Sequence, residues 1–132
     1  MKRVFKILIF ITILAMVAAA ALAIYIDSFY WEHKSSLASP DKKFTVHEYH
    51  NSSDGDRHAP YGSYLFIQST HSPIPAYKSY VIFAGYCTDK LSYSWQSNTQ
   101  INITCLTNEQ TDIRTHSKKA YGISINVTPK NS

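Results

Sequence analysis

The chain has 132 residues, of which 45% are hydrophobic, 14% aromatic and 17% charged. This length leaves room for one domain of ordinary size and excludes a multidomain enzyme. The formal net charge is +4, but Lys2, Arg3 and Lys6 precede a long apolar segment, and the basic and acidic residues that follow nearly balance. The composition implies no extended basic face, so nucleic acid is not predicted as a partner.

Residues 7 to 26 form an almost unbroken apolar segment directly after the basic N-terminus. Its length matches the ~20 residues that a helix needs to cross ~30 Å of hydrocarbon. We therefore predict a cytoplasmic tail over residues 1 to 6 and a transmembrane helix over residues 7 to 26. Because positive charges stay on the cytoplasmic side, the rest of the chain is expected outside the cytoplasm.

A cleaved signal peptide is the alternative interpretation, because Ala21-Leu22-Ala23 matches the small-residue pattern of a cleavage site. Two features favour retention. The apolar segment exceeds the ~7 to 15 residues of a usual signal-peptide core, and an aromatic belt accompanies its end, at Tyr25, Phe29, Tyr30 and Trp31. We predict a single-pass protein of the inner (cytoplasmic) membrane with its C-terminal domain in the periplasm; the alternative is secretion into the periplasm after cleavage.

The exported part is predicted to be all-β. Residues 27 to 39 are polar with a few aromatics and are interpreted as a juxtamembrane spacer. Residues 40 to 132 are expected to form a small, mainly antiparallel β-sheet or sandwich domain of about six strands. Strand patterns cover residues 44 to 50, 61 to 69, 79 to 87, 91 to 96, 101 to 105 and 121 to 128.

Turn residues separate these strands. Ser39-Pro40-Asp41 predicts a turn that launches the first strand. Ser97-Asn98-Thr99 is short enough to join the fourth and fifth strands as a hairpin, and Pro129 is expected to close the last strand. Residues 107 to 119 lack a helical apolar stripe and predict a long loop or one short helical turn.

Cys87 and Cys105 are the two cysteines of the chain. Both fall in the exported part, where an oxidising environment lets them pair, so a disulfide is expected. A strand lying between the two cysteine-bearing strands would hold them ~10 Å apart, which is too far for a bridge. Either Cys87 lies where the chain bends beyond its strand, or the two strands are direct neighbours.

Sequence signals for catalysis are few. His47 and His50 are three positions apart, so on a regular strand they point to opposite faces and do not chelate together. No metal site, cofactor or catalytic residue is predicted, and no Gly-x-Ser-x-Gly motif occurs. A small envelope enzyme or ligand-binding domain remains the alternative function, with a site where His47 or His50 meets Glu48, Asp54 or Asp56.

Tyrosine is more abundant than a core of this size requires, and protein interfaces favour tyrosine. We predict that loops over residues 51 to 60 and 71 to 78 recognise a protein partner, since rigid strands flank both loops. The predicted contact residues are Tyr61 and Tyr77 as anchors, with Arg57, His58 and His71 beside them. The predicted function is that of a non-enzymatic, membrane-tethered extracytoplasmic binding protein.

Three segments within residues 39 to 106 resemble small membrane-anchored or periplasmic bacterial β proteins of uncharacterised function. They are Ser39-Pro40-Asp41-Lys42-Lys43-Phe44-Thr45-Val46, Val81-Ile82-Phe83-Ala84-Gly85, and Tyr93-Ser94-Trp95 with Ile101-Asn102-Ile103. Some proteins of this design act as immunity factors against toxins delivered by neighbouring cells. The resemblance implies an immunity-type inhibitor of a secreted toxin or effector as one candidate, and it carries over no catalytic residue.

Overall fold

The computed structural model describes residues 1 to 54, 61 to 87, 91 to 107 and 113 to 131. The chain divides into two units, Met1–Tyr30 and Trp31–Ser132. The first unit is helical and the second is built from two β-sheets.

Helix α1 (Lys2–Phe29) contains the predicted apolar segment and confirms the helix. Its portion Lys2–Ile26 is long and apolar enough to cross a membrane. The apolar side chains of this portion are exposed all around the helix, as expected for a helix that faces lipid. A membrane anchor and a signal sequence both meet this description.

The second unit contains nine strands in the described residues, where the sequence predicted about six. The strands of the first sheet are β1 (Trp31–Ala38), β2 (Phe44–Asn51), β3 (Gly62–Ser69), β4 (Tyr80–Gly85) and β7 (Ile113–His116). Those of the second sheet are β5 (Leu91–Ser97), β6 (Gln100–Thr107), β8 (Lys119–Ala120) and β9 (Ile123–Asn131). The strand orders are β1-β2-β3-β4-β7 and β5-β6-β9-β8. The β-rich, mostly antiparallel domain is therefore confirmed, as is the hairpin of β5 and β6.

Residues 27 to 39 are not a spacer, because α1 ends at Phe29 and β1 begins at Trp31. Strand β1 pairs antiparallel with β2, and Trp31 lies opposite Asn51. The strand lies at the edge of its sheet, and most of its side chains are exposed. Its sequence therefore lacks the alternation of apolar and polar residues by which the other strands were predicted.

The predicted turn after Ser39 is confirmed, and it reverses the chain between β1 and β2. The Lys42 amide donates to the Ser39 carbonyl at 2.8 Å, and the Ser39 hydroxyl donates to the Asp41 carboxylate at 2.6 Å. This hydrogen bond from Ser39 holds the pKa of Asp41 below its usual value. The turn thus joins two paired strands, which makes β1 part of the domain.

Both sheets contribute to one buried core. A register shift in β4, opposite Leu65 and Phe66, turns the fully buried Ile82 and Phe83 into it. The buried cluster comprises Val46, Leu65, Ile67, Ile82, Phe83, Cys87, Leu91, Ile101, Ile103, Cys105, Ala120, Ile123 and Ile125.

The prediction of a loop or helical turn over residues 107 to 119 is wrong where β7 and β8 form. Strand β7 pairs with β4 in the first sheet, and the chain then returns to the second sheet through β8. After this crossover β9 lies beside β6 and runs parallel to it. Both missed strands are short, and β7 contains a single apolar residue, Ile113, so neither produces a periodic signal.

Pro129 does not close the last strand, because β9 continues to Asn131 and places Pro129 beside Cys105 of β6. Strand β8 pairs with β9 only at Ile123 and Ser124. Beyond that point β9 has a strand neighbour on one side only among the described residues. An edge of this kind tolerates the missing amide of proline.

Cys87 and Cys105 form the expected disulfide, with their Cα atoms 5.3 Å apart. Cys87 lies beyond the end of β4, whereas Cys105 lies in β6 of the other sheet. The first of the two predicted alternatives is therefore correct, and the bridge joins the two sheets. The apolar N-terminal helix and the disulfide together agree with a domain outside the cytoplasm.

Candidate functional site

A shallow groove of about 470 Å³ lies at one end of the first sheet. Its volume is within the ~300 to 1,000 Å³ typical of ligand sites. Phe44 and Tyr80 enter it from the first residues of β2 and β4, and Tyr121 enters from the turn before β9. The full lining consists of Phe44, Gln68, Ser69, Ser72, Ile74, Lys78, Ser79, Tyr80 and Tyr121.

The apolar part of the groove is open to solvent. Tyr121 is 60% exposed, Ile74 50% and Tyr80 47%. Tyr121 stacks on Phe44, with ring centroids 5.4 Å apart, and meets Tyr80 edge-on at 6.1 Å. The three rings and the isoleucine form a connected apolar surface, the kind of feature that marks interaction sites on soluble domains.

The turn that presents Tyr121 has an unusual backbone. Tyr121 has φ of 52° and Gly122 has φ of 76°, and they form a two-residue loop between Ala120 and Ile123. Two positive φ angles are the feature of type I′ hairpin turns, which prefer Asn-Gly. A tyrosine in the left-handed region is strained by ~1 kcal/mol or more. The turn places a large aromatic ring at the mouth of the groove despite this strain. We take the strained conformation as a mark of function.

The polar lining of the groove is rich in hydroxyl and amide groups. Ser69, Ser72 and Ser79 supply hydroxyls and Gln68 supplies a carboxamide, while Lys78 is the one charged residue of the lining within the part of the chain that the structure describes. Hydroxyls and carboxamides both donate and accept hydrogen bonds. The groove can therefore pair with the backbone of an extended peptide and cover one of its apolar side chains.

Tyr77 lies in an aromatic cluster on the outer face of the first sheet. Its ring stacks on Trp31, with centroids 5.9 Å apart, and meets Tyr49 edge-on at 5.8 Å. Trp31 also packs against Tyr64 and Phe66. Tyr77 is therefore half-buried within the domain. Burial, and the neighbouring Tyr77, also raise the pKa of Tyr49.

Tyr61 covers a polar cluster on the inner face of the same sheet. Its ring stacks on His50 at 3.9 Å between centroids. The Nε2 of His50 donates to the Glu48 carboxylate at 2.9 Å, and only 13% of each side chain is exposed. The Ser35 hydroxyl also donates to Glu48, at 3.3 Å, and accepts from Tyr93 of the second sheet. Burial raises the pKa of Tyr93, so its hydroxyl stays protonated.

This cluster assembles one of the His/carboxylate pairs that the sequence analysis considered, His50 with Glu48. His47 lies on the opposite face of β2, as the strand geometry predicted. The hydroxyl of Ser35 contacts the carboxylate and not the imidazole, so this cluster lacks the contact that would activate a serine nucleophile. His50 Nδ1 is buried without a hydrogen-bond partner among the described residues.

Of the other predicted contact residues, the structure describes only His71. His71 is exposed in the segment after β3. Arg57 and His58 lie outside the described residues, as does Asp56, and the side chain of Asp54 is likewise not described. The predicted recognition loop over residues 71 to 78 does supply three residues to the groove, Ser72, Ile74 and Lys78.

Sequence reasoning did not group the groove residues, because they come from segments far apart in the chain. Tyr121 was assigned to a strand, whereas it lies in a turn of the other sheet. Ile74 stands between Pro73 and Pro75, and this placement of an apolar residue in a loop is one available signal. A β hairpin that begins after Ala120 with Tyr-Gly instead of Asn-Gly was the second.

Comparisons with protein-family models, with curated proteins and with solved structures found no match for this chain. A function for it therefore has to be inferred from the geometry of its own residues.

Proposed function

We propose that this chain is a membrane-anchored binding protein whose β domain, outside the cytoplasm, takes a segment of a protein partner into the groove. Helix α1 acts as an uncleaved anchor, with Lys2, Arg3 and Lys6 on the cytoplasmic side. The basic N-terminus, the length of the apolar segment and the aromatic belt support this topology. The disulfide supports an oxidising compartment.

The observation that carries the proposal is the exposed apolar surface of the groove. Tyr121, Tyr80 and Ile74 each leave about half of their surface in water, and the backbone of Tyr121 is strained to hold its ring there. Covering these side chains with a partner removes apolar area from water, which is the main favourable term in association. An exposed aromatic anchor in a pocket is also the usual form of an interface hot spot.

An extended polypeptide segment fits the groove better than a charged small molecule does. The hydroxyls of the lining match peptide N–H and C=O groups, and the aromatic rings match one apolar side chain. Among the described residues the lining contains one lysine and no carboxylate, so the groove is mainly uncharged. A toxin segment bound in this way is the immunity-type case that the sequence resemblance implies.

Selection from a library of short random displayed peptides, against the full chain in lipid nanodiscs, tests the proposal. Peptides that contain an apolar side chain should be enriched. Each enriched peptide should bind at least about thirtyfold more weakly to the Tyr121→Ala and Ile74→Asp variants. The matched control is Ser94→Ala, which changes an exposed side chain of β5 in the other sheet and should leave affinity unchanged.

Equal affinity of the selected peptides for wild type, Tyr121→Ala and Ile74→Asp would contradict groove binding. Circular dichroism and the thermal midpoint of each variant confirm that a loss of affinity is not a loss of fold.

A small-ligand site at Glu48 and His50 is the second candidate, favoured by the buried Nδ1 of His50, which lacks a hydrogen-bond partner among the described residues. The two candidates make opposite predictions for His50→Gln. Peptide binding in the groove should survive this substitution, whereas a ligand site built on Glu48 and His50 should not.

A further inference from the structure

Two imidazoles on the outer face of the first sheet point at one hydroxyl group. His33 Nε2 lies 2.7 Å from the Ser36 Oγ, and His47 Nδ1 lies 2.8 Å from the same oxygen. The two rings are 5.8 Å apart between centroids and inclined by 57°. The hydroxyl has a single hydrogen, so it donates to one ring nitrogen and accepts from the N–H of the other. Both nitrogens nevertheless face one point, and in the tautomer that places a lone pair on each of them they form the basic element of a metal site.

A β-bulge in β1 creates this convergence. Ser36 pairs with His47 and His33 pairs with Tyr49, and the register shifts between them because Lys34 is an extra residue. On a regular strand His33 and Ser36 would point to opposite faces, since they are three positions apart. The bulge brings both to the face of His47, and bulges that redirect a side chain are frequent beside functional sites.

Each imidazole also contacts a second residue besides Ser36. The His33 ring packs edge-on against Tyr49, with centroids 5.1 Å apart, and His47 Nε2 lies 3.4 Å from the Gln68 carboxamide nitrogen. The Gln68 Oε1 atom is buried and has no partner among the described residues. A half-turn of this carboxamide presents Oε1 to an Nε2–H group, which leaves His47 Nδ1 as a free lone pair. Metal-binding histidines are commonly oriented by such an acceptor on their other nitrogen.

We propose that His33 Nε2 and His47 Nδ1 bind a divalent cation of the zinc, copper or nickel class, with the Ser36 hydroxyl beside it. Imidazole ligands select these ions over magnesium or calcium, which prefer oxygen. The Ser36 Oγ occupies the point that both nitrogens face, so the cation takes this place only after the hydroxyl rotates aside. A Zn–N bond of ~2.0 to 2.1 Å then requires each nitrogen to move inward by about 0.7 Å. His33 and Ser36 are exposed, so rotation of their side chains can supply this movement.

No group of three or more His, Cys, Asp or Glu side chains that would enclose a metal occurs in the described residues. Water then completes the coordination, as in open sites that keep positions for an external ligand. Burial and the neighbouring His33 lower the pKa of His47.

Zinc titration of the full chain in detergent micelles, with no added histidine tag, tests this site. Wild type should bind a single Zn²⁺ ion per chain and show no comparable response to Mg²⁺. His33→Asn and His47→Asn should each weaken zinc binding at least about tenfold. The matched control is His71→Asn, an exposed histidine elsewhere, which should bind zinc as wild type does.

The proposal is overturned if wild type takes up no zinc, if His33→Asn and His47→Asn bind it as tightly as wild type, or if His71→Asn loses it equally. Since His47 is half-buried and its substitution can disturb folding, NMR of wild type gives an independent measurement. Zinc should shift the imidazole resonances of His33 and His47 and leave that of His71 in place; the opposite pattern also overturns the site.

Discussion

Phe44 of the first sheet and Tyr121 of the second stack on each other, with ring centroids 5.4 Å apart and planes inclined by 20°. Phe44 begins β2 immediately after the Ser39 turn, while Tyr121 is fixed by the left-handed turn before β9. The groove consequently exists only when the two sheets are assembled. The proposed binding activity therefore requires the whole β domain and not one hairpin of it.

The turn at Tyr121 and Gly122 gives a direct test of backbone strain. Tyr121→Ala and Tyr121→Asn both remove the ring, but asparagine tolerates the left-handed region better than alanine does. Tyr121→Asn should therefore be more stable than Tyr121→Ala by about 0.5 to 1 kcal/mol in the free energy of unfolding. Urea denaturation measures the difference, and equal stability of the two variants would mean that φ at this position is not strained.

The disulfide between Cys87 and Cys105 should be mainly structural. It closes a sequence separation of 18 residues, which corresponds to about 3 kcal/mol of stabilisation in the chain-entropy model. Cys105→Ser should lower the free energy of unfolding by about that amount without abolishing peptide binding below the new thermal midpoint. Cys87→Ser should have the same effect. Labelling of both thiols in untreated, unreduced protein would disprove the bridge.

The strands with a strong apolar pattern could be predicted from the sequence, and those without one could not. β3 and β4 are buried within the sheet and therefore read as apolar runs. In β5 and β6 apolar and polar residues alternate with a period of two, so in both cases burial produced the pattern in the sequence. β1 lies at an edge with exposed side chains, and β7 and β8 are held by pairing with neighbours distant in the chain. Their formation is decided by tertiary contacts, which single-sequence patterns do not contain.

The candidate sites could likewise be predicted only in part, because single-sequence patterns do not contain tertiary contacts. The sequence predicted recognition by the loop over residues 71 to 78, three residues of which line the groove, and it indicated that His50 and Glu48 can meet. It did not indicate that Tyr121 joins the groove or that His33 joins His47, because the first contact crosses between sheets and the second depends on a bulge. Strand geometry correctly separated His47 from His50, and the bulge is the local departure from that geometry.

The pH dependence of stability should report the environment of His47. Burial and the neighbouring His33 lower the pKa of His47 from its usual 6.5, so the unfolded chain binds this proton more readily than the folded chain. The stabilising contribution is complete above pH 6.5 and is lost as the pH falls through the folded-state pKa. The free energy of unfolding should therefore decrease on acidification below pH 6.5.

Comparison of variants separates the contribution of His47 to this pH dependence from the contributions of the other histidines. His47→Gln should flatten the pH dependence of the free energy of unfolding in that window, while His71→Gln, which replaces an exposed histidine, should leave it as in wild type. Urea titrations of the full chain in micelles, at a series of pH values, provide the measurement. An unchanged slope in His47→Gln would show that another group is responsible.

Retention of α1 as a membrane anchor predicts the cell fraction in which the protein is recovered. Because α1 is long and apolar enough to span and basic residues precede it, the protein should remain in the inner-membrane fraction after carbonate extraction. The intact mass should include residues 1 to 26. A soluble species that begins at Ile24 would instead show cleavage after Ala23, and the domain would then be periplasmic and untethered.

Tyr61 and Tyr77 remain predicted anchors of the partner, and their packing determines how they must be tested. Tyr77 stacks on Trp31 and Tyr61 on His50, so truncation to alanine removes aromatic packing worth ~0.5 to 1.5 kcal/mol per pair as well as any contact with a partner. Each alanine variant should weaken a complex at least about thirtyfold if the ring is an anchor at the interface centre.

Calorimetry with a peptide selected on wild type, run below the thermal midpoint of every variant, separates the loss of aromatic packing from the loss of contact with a partner. Tyr77→Phe and Tyr61→Phe keep the stacking and serve as controls for packing. Lowered stability with wild-type affinity in both alanine variants would assign Tyr61 and Tyr77 to the architecture of the sheet. Recognition would then depend on Phe44, Ile74, Tyr80 and Tyr121, whose side chains line the groove.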